Sequence, residues 1–351
     1  MKLAKLSLAA IMAAGALSTA NATSLEDAIK GVDLSGYAYV RYHDASGSEA
    51  YHKIELRAQL TAPVQEDIQF VTRFTAGKST ATNATDGAAI PLVDRLFFNY
   101  TGFANTKLVF GRQYIGSPLD DSVATGLKVL VTPVKGLTLA AAYFSDNSTV
   151  TNALTAIAAI YSNDMFNARA WYVKADSENS SADNGADFFF LEAGANVGPV
   201  AVKAQYAQAD PDDNTEATAS TIRLQVSGTV DAFTLRAGYI TNDKDAGDVT
   251  IDGSAEGDND LIYGGIYGLV QINEANEDAY FGEVKAKFGK FCAKVGYVSY
   301  DNGTYDDQYY GQVSYKVSKK LNTYVRYGSA DPVASGADDK TLARFHAEYT
   351  F

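Results

Sequence analysis

Few side chains in this sequence could do chemistry. His43, His52 and His346 are its only histidines, and Cys292 is its only cysteine. A single cysteine forms no internal disulfide and supplies no Cys-x-x-Cys or zinc-ribbon spacing. Three scattered histidines are little material for a His-rich metal centre. His43 and His52 flank one polar stretch, 45–50, where a base and a nucleophile could approach each other. No nearby serine sits in a recognisable motif, and Gly-x-Ser-x-Gly is absent. Cys292, beside Phe291, reads as a small space-filler. No enzyme is expected.

The remaining chemistry is that of charge. Arg41, Arg57, Arg326 and Arg344 each stand between apolar neighbours in an alternating run, and Arg73 and Arg95 each precede an apolar residue in one. Asp120 and Asp121 sit together in the polar stretch 115–125. A second acidic stretch, 244–274, holds Asp245, Asp248, Asp252, Glu256, Asp258 and Asp260, with Asp243 just before it. It has no EF-hand spacing, so a solvated surface loop is expected. Its apolar run Leu261-Ile262-Tyr263-Gly264-Gly265-Ile266-Tyr267 could cap an opening or pack on a neighbouring subunit.

The elements that must position these residues are strands. The chain has 23 Tyr, 17 Phe and 29 Gly against 7 Pro, which favours strands and tight turns. Acidic residues exceed basic ones by 42 to 29, for a formal charge of −13, which argues against a nucleic-acid partner. Ile54-Leu56-Ala58-Leu60 alternates with Glu55-Arg57-Gln59, and Phe233-Leu235-Ala237-Tyr239 alternates with Thr234-Arg236-Gly238. This is the half-apolar strand pattern. It recurs roughly 18 times. The predicted strands are 33–44, 51–63, 67–78, 92–103, 106–114, 125–134, 137–146, 154–162 and 165–176 in the first half. They continue at 186–197, 199–209, 218–229, 233–243, 275–289, 290–301, 308–318, 320–330 and 338–351. The run at 154–162 also has helical character, and reading 154–176 as loop gives 16 strands instead.

Short and long connections alternate strictly along the chain. Short turns on one side and long polar loops on the other are how an outer-membrane barrel is built. Strands of about 10 residues suit a tilted crossing of the bilayer. The fold class expected is therefore an all-β transmembrane antiparallel barrel. Residues 1–22 fit a cleaved signal peptide, with Lys2 and Lys5, an apolar Leu6–Leu17 and a small-x-small end at Ala20–Ala22. Residues 23–32 form a short periplasmic segment, and 33–351 a single barrel. No later apolar run reaches the length of a spanning helix. Phe345, Ala347, Tyr349 and Phe351 share one apolar face at the C-terminus. Tyr349 and terminal Phe351 look like the signal read by the outer-membrane assembly machinery.

The N-terminal block MKLAKLSLAAIMAAGALSTANATSLEDAIKGVDLSGYAYVRY and the stretch Gly126–Tyr143, GLKVLVTPVKGLTLAAAY, resemble the major outer-membrane porins of Campylobacter and related bacteria. Beyond these segments the likeness is one of layout. The resemblance implies an 18-stranded, trimeric, water-filled porin. It implies passive diffusion of ions and small hydrophilic solutes, cation preference, and a calcium ion at the constriction. Calcium needs six to eight oxygen ligands, of which Asp120 and Asp121 would supply two. By analogy of architecture the loop at 115–125 folds into the barrel and narrows it. Its acids would then face the arc of arginines, which barrel closure makes contiguous. Expected partners are outer-membrane lipid, lipopolysaccharide, the assembly machinery and further copies of the chain. A surface adhesin or structural protein, and a substrate-specific channel, are the alternative functions.

Overall fold

The computed structural model describes residues 31–47, 49–79, 92–120, 122–147, 153–176, 185–212, 217–251, 261–266 and 269–351. Side chains of Lys78, Asp146 and Asn147 are not described. Expectations for the signal peptide, for most of 23–32, for Asp121, and for Asp252, Glu256, Asp258, Asp260 and Tyr267 lie outside the described residues.

Eighteen strands make up the fold. They are β1 (Asp33–Ala45), β2 (Tyr51–Gln65), β3 (Ile68–Ser79), β4 (Leu92–Tyr100), β5 (Thr106–Tyr114) and β6 (Val123–Val134). Then come β7 (Leu137–Asn147), β8 (Leu154–Ser162), β9 (Phe166–Ala175), β10 (Ala186–Val197), β11 (Val200–Pro211) and β12 (Ala219–Val230). Last are β13 (Phe233–Asn242), β14 (Asp278–Phe288), β15 (Phe291–Asp301), β16 (Tyr305–Lys316), β17 (Leu321–Pro332) and β18 (Lys340–Thr350). The described residues contain no helix.

Each strand pairs antiparallel with its neighbours in sequence, and β1 pairs with both β2 and β18. The sheet is a closed barrel, so no strand is left as an unpaired edge. The 16-strand alternative fails because β8 and β9 pair along their full lengths. Alternation explains why the sheet closes this way round. Val40, Ile54, Leu56, Leu127, Leu224, Val295, Val325 and Phe345 are exposed on the outer face. Their polar neighbours point to the lumen. An apolar exterior and a polar interior are what a barrel in lipid requires.

The short turns rest on residues that tolerate left-handed backbone. Gly198 and Gly289 have φ of 59° and 58°, and Asp231 has φ of 51°. Tight hairpins between twisted strands need such positions. The closing seam has a special contact of its own. Gly36 and Phe351 exchange two backbone hydrogen bonds, of 3.2 and 3.0 Å. A Cβ on Gly36 would lie 2.0 Å from the Arg57 carbonyl oxygen, so only glycine fits.

Candidate functional site

The lumen wall of β17, β18, β1, β2, β3 and β4 carries the six arginines. Strand closure places them side by side, with Arg326 opposite Arg344 and Arg73 opposite Arg95 in the register. Arg41 stands opposite Lys53, which adds a further cation to the wall. Cross-strand like charges repel, so this arrangement needs counter-charge or water.

Part of the counter-charge comes from the wall itself. Glu55 lies 3.1 Å from Lys53 and 2.8 Å from Arg57. Tyr37 and Tyr39 also donate to its carboxylate. Asp94 is gripped by Arg73 and accepts from Thr75. Farther round, Glu192 sits 2.6 Å from Arg169 and 3.6 Å from Lys203. Glu283 sits 3.3 Å from Lys294 and 3.8 Å from Arg236. Each of the three glutamates is shared by two cations, which leaves its neighbourhood positive. The sequence reading did not single out these acids as site residues. The same alternation that marks the arginines marks them, since Glu55 falls between Ile54 and Leu56.

Arg41, Arg326 and Arg344 form a distinct group. Arg41 Nε donates to His346 Nδ1 at 3.3 Å. Arg344 donates to His43 Nδ1 through Nε at 3.2 Å and through Nη2 at 3.0 Å. Arg326 Nε donates to Gln312 Oε1 at 2.8 Å. Among the described residues, neither Arg41 nor Arg326 meets a carboxylate. His52 takes no part here. It pairs with Tyr42 on the outer face, whereas His43 points inward. The two histidines that flank 45–50 are thus on opposite sides of the sheet, and they form no base–nucleophile site. Cys292 is a free, partly buried thiol.

Two long loops fold into the barrel. In the first, Lys128 Nζ donates to the carbonyls of Tyr114 and Ile115 at 2.8 and 3.1 Å. Ile115 then packs on Phe144, Leu154 and Val173 of β7–β9. Leu119 reaches Phe190 and Ala207 on β10 and β11. Asp120 is 1% exposed, and its carboxylate accepts the Ser122 backbone N–H at 2.7 Å. It thus shapes the loop's turn. Among the described residues no group of three or more histidine, cysteine, aspartate or glutamate side chains is gathered for a metal ion.

The second loop, between β13 and β14, corrects an expectation. Lys244 and Asp245 are exposed, as in a solvated surface loop, but its described apolar part turns inward. Ile262, Ile266, Leu269, Val270 and Ile272 are buried against Ile240, Phe281, Val298, Tyr310, Ala330 and Leu342 on β13–β18. The apolar run packs inward on its own barrel. Polar anchors fix it there. Asp248 is bound by Arg223 and by Thr221 Oγ1, the latter at 3.0 Å. The Ile262 N–H donates to Gln205 Oε1 at 2.7 Å. The two loops also meet, through the Ile251 N–H and the Leu119 carbonyl at 2.8 Å. At the loop's base Glu277 is buried and accepts the Glu274 N–H at 3.0 Å. Burial pushes its carboxyl above the ordinary value. The Glu274 N–H opposes this, and the negative charges of Glu274 and Asp248 add to it.

The lumen is therefore lined asymmetrically. Loops cover the wall from β7 round to β18 near its long-loop end. The arginine wall closes the other side at mid-height. Tyr349 stands on the outer face of β18, and Phe351 follows at the seam.

Residues 1–149 match the family model of the Campylobacter major outer membrane protein. The N-terminal block and the 126–143 stretch that carry the resemblance both fall inside that match. The fold has wider likeness. The crystal structure of Pseudomonas aeruginosa OpdK with vanillate superposes with a TM-score of 0.72 at 15% identity, covering 92% of this chain and 99% of that one. P. aeruginosa OccK11 (OpdR) gives 0.71 at 11% identity, over 92% of this chain and 96% of that one. P. aeruginosa OccK2 (OpdF) in complex with glucuronate gives 0.70 at 14% identity, over 92% and 98%. At these identities the likeness is one of fold. No curated protein matches the sequence.

Proposed function

We propose that the chain is an outer-membrane porin, a water-filled channel for passive diffusion of ions and small hydrophilic solutes. One observation carries the reading. A closed barrel with an apolar exterior encloses a continuous wall of inward cations, among them Arg41, Arg326 and Arg344. Such a wall has no role in a solid core, and it gives a hydrated path with a fixed field. No bond is made or broken, so the protein is a channel and not an enzyme. Residues 1–22 direct export and are removed. The short turns then lie on the periplasmic side. The outer face meets lipid and lipopolysaccharide, and three copies assemble.

The sign of the field decides ion preference. Glu55, Glu192 and Glu283 are each shared by two cations, and beside Arg41, Arg326 and Arg344 the wall carries one carboxylate, Glu348, next to His346, so cations outnumber acids in both places. This wall therefore favours anions. The cation preference implied by the resemblance is then set by acids elsewhere along the lumen. Vanillate and glucuronate, named for two of the fold relatives, both carry a carboxylate, in keeping with a basic wall. Liposome swelling tests the reading. Vesicles holding the protein should swell in small sugars and amino acids, with rates that fall as solute size rises. No swelling from correctly folded protein would overturn it and favour an adhesive or structural role.

A further inference from the structure

The seam between β1 and β18 holds two Arg–His pairs in a swapped arrangement. Arg41 faces His346 at one register position, and His43 faces Arg344 two residues on. In both pairs the guanidinium donates to imidazole Nδ1. Guanidinium has no acceptor, so each Nδ1 must present its lone pair. Both rings are therefore neutral in this arrangement, with any ring proton on Nε2. His346 Nε2 lies 3.5 Å from a Glu348 oxygen, as that tautomer requires. Both rings are held firmly. His346 is sandwiched between Tyr39 and Tyr324, each with its ring centroid at 4.9 Å, and His43 stacks on Tyr51 at 4.7 Å.

These bonds use guanidinium donors on an acceptor that carries no charge. Arg326 stands directly opposite Arg344, so the group gathers cations whose repulsion an anion would relieve. An oxyanion entering the site is a stronger acceptor than imidazole, because it is charged. When the N–H groups of Arg41 and Arg344 turn to it, the two Nδ1 lone pairs are freed. A freed imidazole can then take a proton from water and face the same anion.

The geometry points to a site for small planar oxyanions, carboxylates above all, at Arg41, Arg326, Arg344, His43 and His346, which takes up a proton together with its ligand. This rests on the porin reading. The other charged and titratable groups facing the site come from each neighbouring strand. They are Tyr39 on β1, Tyr51, Lys53 and Glu55 on β2, Tyr324 on β17 and Glu348 on β18, while Asp44 on β1 lies on the outer face with Tyr42. Glu55 is already held by Lys53 and Arg57. The histidines are therefore the groups that couple proton uptake to anion entry.

Reversal potentials in potassium nitrate gradients at pH 8 and pH 4 test this. Nitrate is planar and does not titrate in that range. Nitrate preference over potassium should rise about threefold at the lower pH. That is the effect of one added unit charge roughly 6 Å away in a water-like dielectric. The His43→Gln/His346→Gln variant keeps an acceptor for each guanidinium and should lose the rise. His52→Gln, on the outer face, should keep it. Arg41→Gln/Arg344→Gln should lower nitrate preference at both pH values and also abolish the rise. A rise of equal size in the histidine double variant, or no rise in the natural chain, overturns the proposal. Silence at every pH from folded protein sinks the porin reading instead.

Discussion

The inward docking of the β13–β14 loop gives a prediction whose size follows from the structure. Arg223 and Asp248 form an ion pair whose side chains are 3% and 5% exposed. Replacing Arg223 with Met keeps the bulk and removes the charge. Asp248 is then left with Thr221 Oγ1 and the Val249 N–H. Breaking a buried pair from one side costs about 3–5 kcal/mol. The cost falls on the docked loop, because an undocked Asp248 is hydrated. At about 1.4 kcal/mol per tenfold, local opening should rise by roughly two to three and a half orders of magnitude. Hydrogen exchange reads this directly at the amides of Val249, Ile251 and Ile262, which bond to Thr221 Oγ1, the Leu119 carbonyl and Gln205 Oε1. In micelles they should exchange faster by that factor, while amides of β15 stay unchanged. The full hydrophobic contact of Ile262, Ile266 and Leu269 remains, so the barrel itself should not unfold. Unchanged exchange at all three amides would refute both the anchor and the inward placement of the loop.

Three further outcomes are expected. Glu277 has a raised carboxyl pKa, so the docked loop holds its proton to higher pH than the undocked one. Its contribution to docking is full below the ordinary carboxylate range, about 4.3, and declines as pH rises through the raised value. Exchange at the Glu274 amide should therefore quicken over that window, and Glu277→Gln should flatten the dependence. Gly36→Ala forces its Cβ onto the Arg57 carbonyl and should open the β1–β2 seam, read as loss of the heat-modifiable band on gels. Deleting Phe351 removes two backbone hydrogen bonds across the closing seam and should slow assembly into vesicles, with little change in conductance of the barrels that do form.

The barrel is written in the sequence to a degree that the loops are not. Strand boundaries at 106–114 and 154–162 agree with β5 and β8 to the residue, because a strand's alternation is local and a lipid-facing sheet enforces it everywhere. Even the alanine-rich β8, with its helical character, is decided by pairing on both sides. The inward direction of Arg41, Arg57, Arg73, Arg95, Arg326 and Arg344 follows from the same parity. The partners of those arginines depend on register, which no single strand reveals. That Arg41 meets His346 requires residues 305 positions apart to come together at closure. The inward fold of Leu261–Ile266 was illegible for a similar reason. Its periodicity is irregular, and its binding surface is spread over β13 to β18. The loop position of Asp120 follows from the strands on either side, but its role in the Ser122 turn depends on backbone geometry that composition does not encode.

The most direct measurement is single-channel recording in planar bilayers under a potassium chloride gradient. Stable open steps, grouped in threes, with a reversal potential on the chloride side are expected. Arg41→Gln/Arg326→Gln should move that potential toward potassium. A folded protein that never conducts, or a potassium-side reversal that the double substitution leaves in place, would contradict a channel governed by its arginine wall.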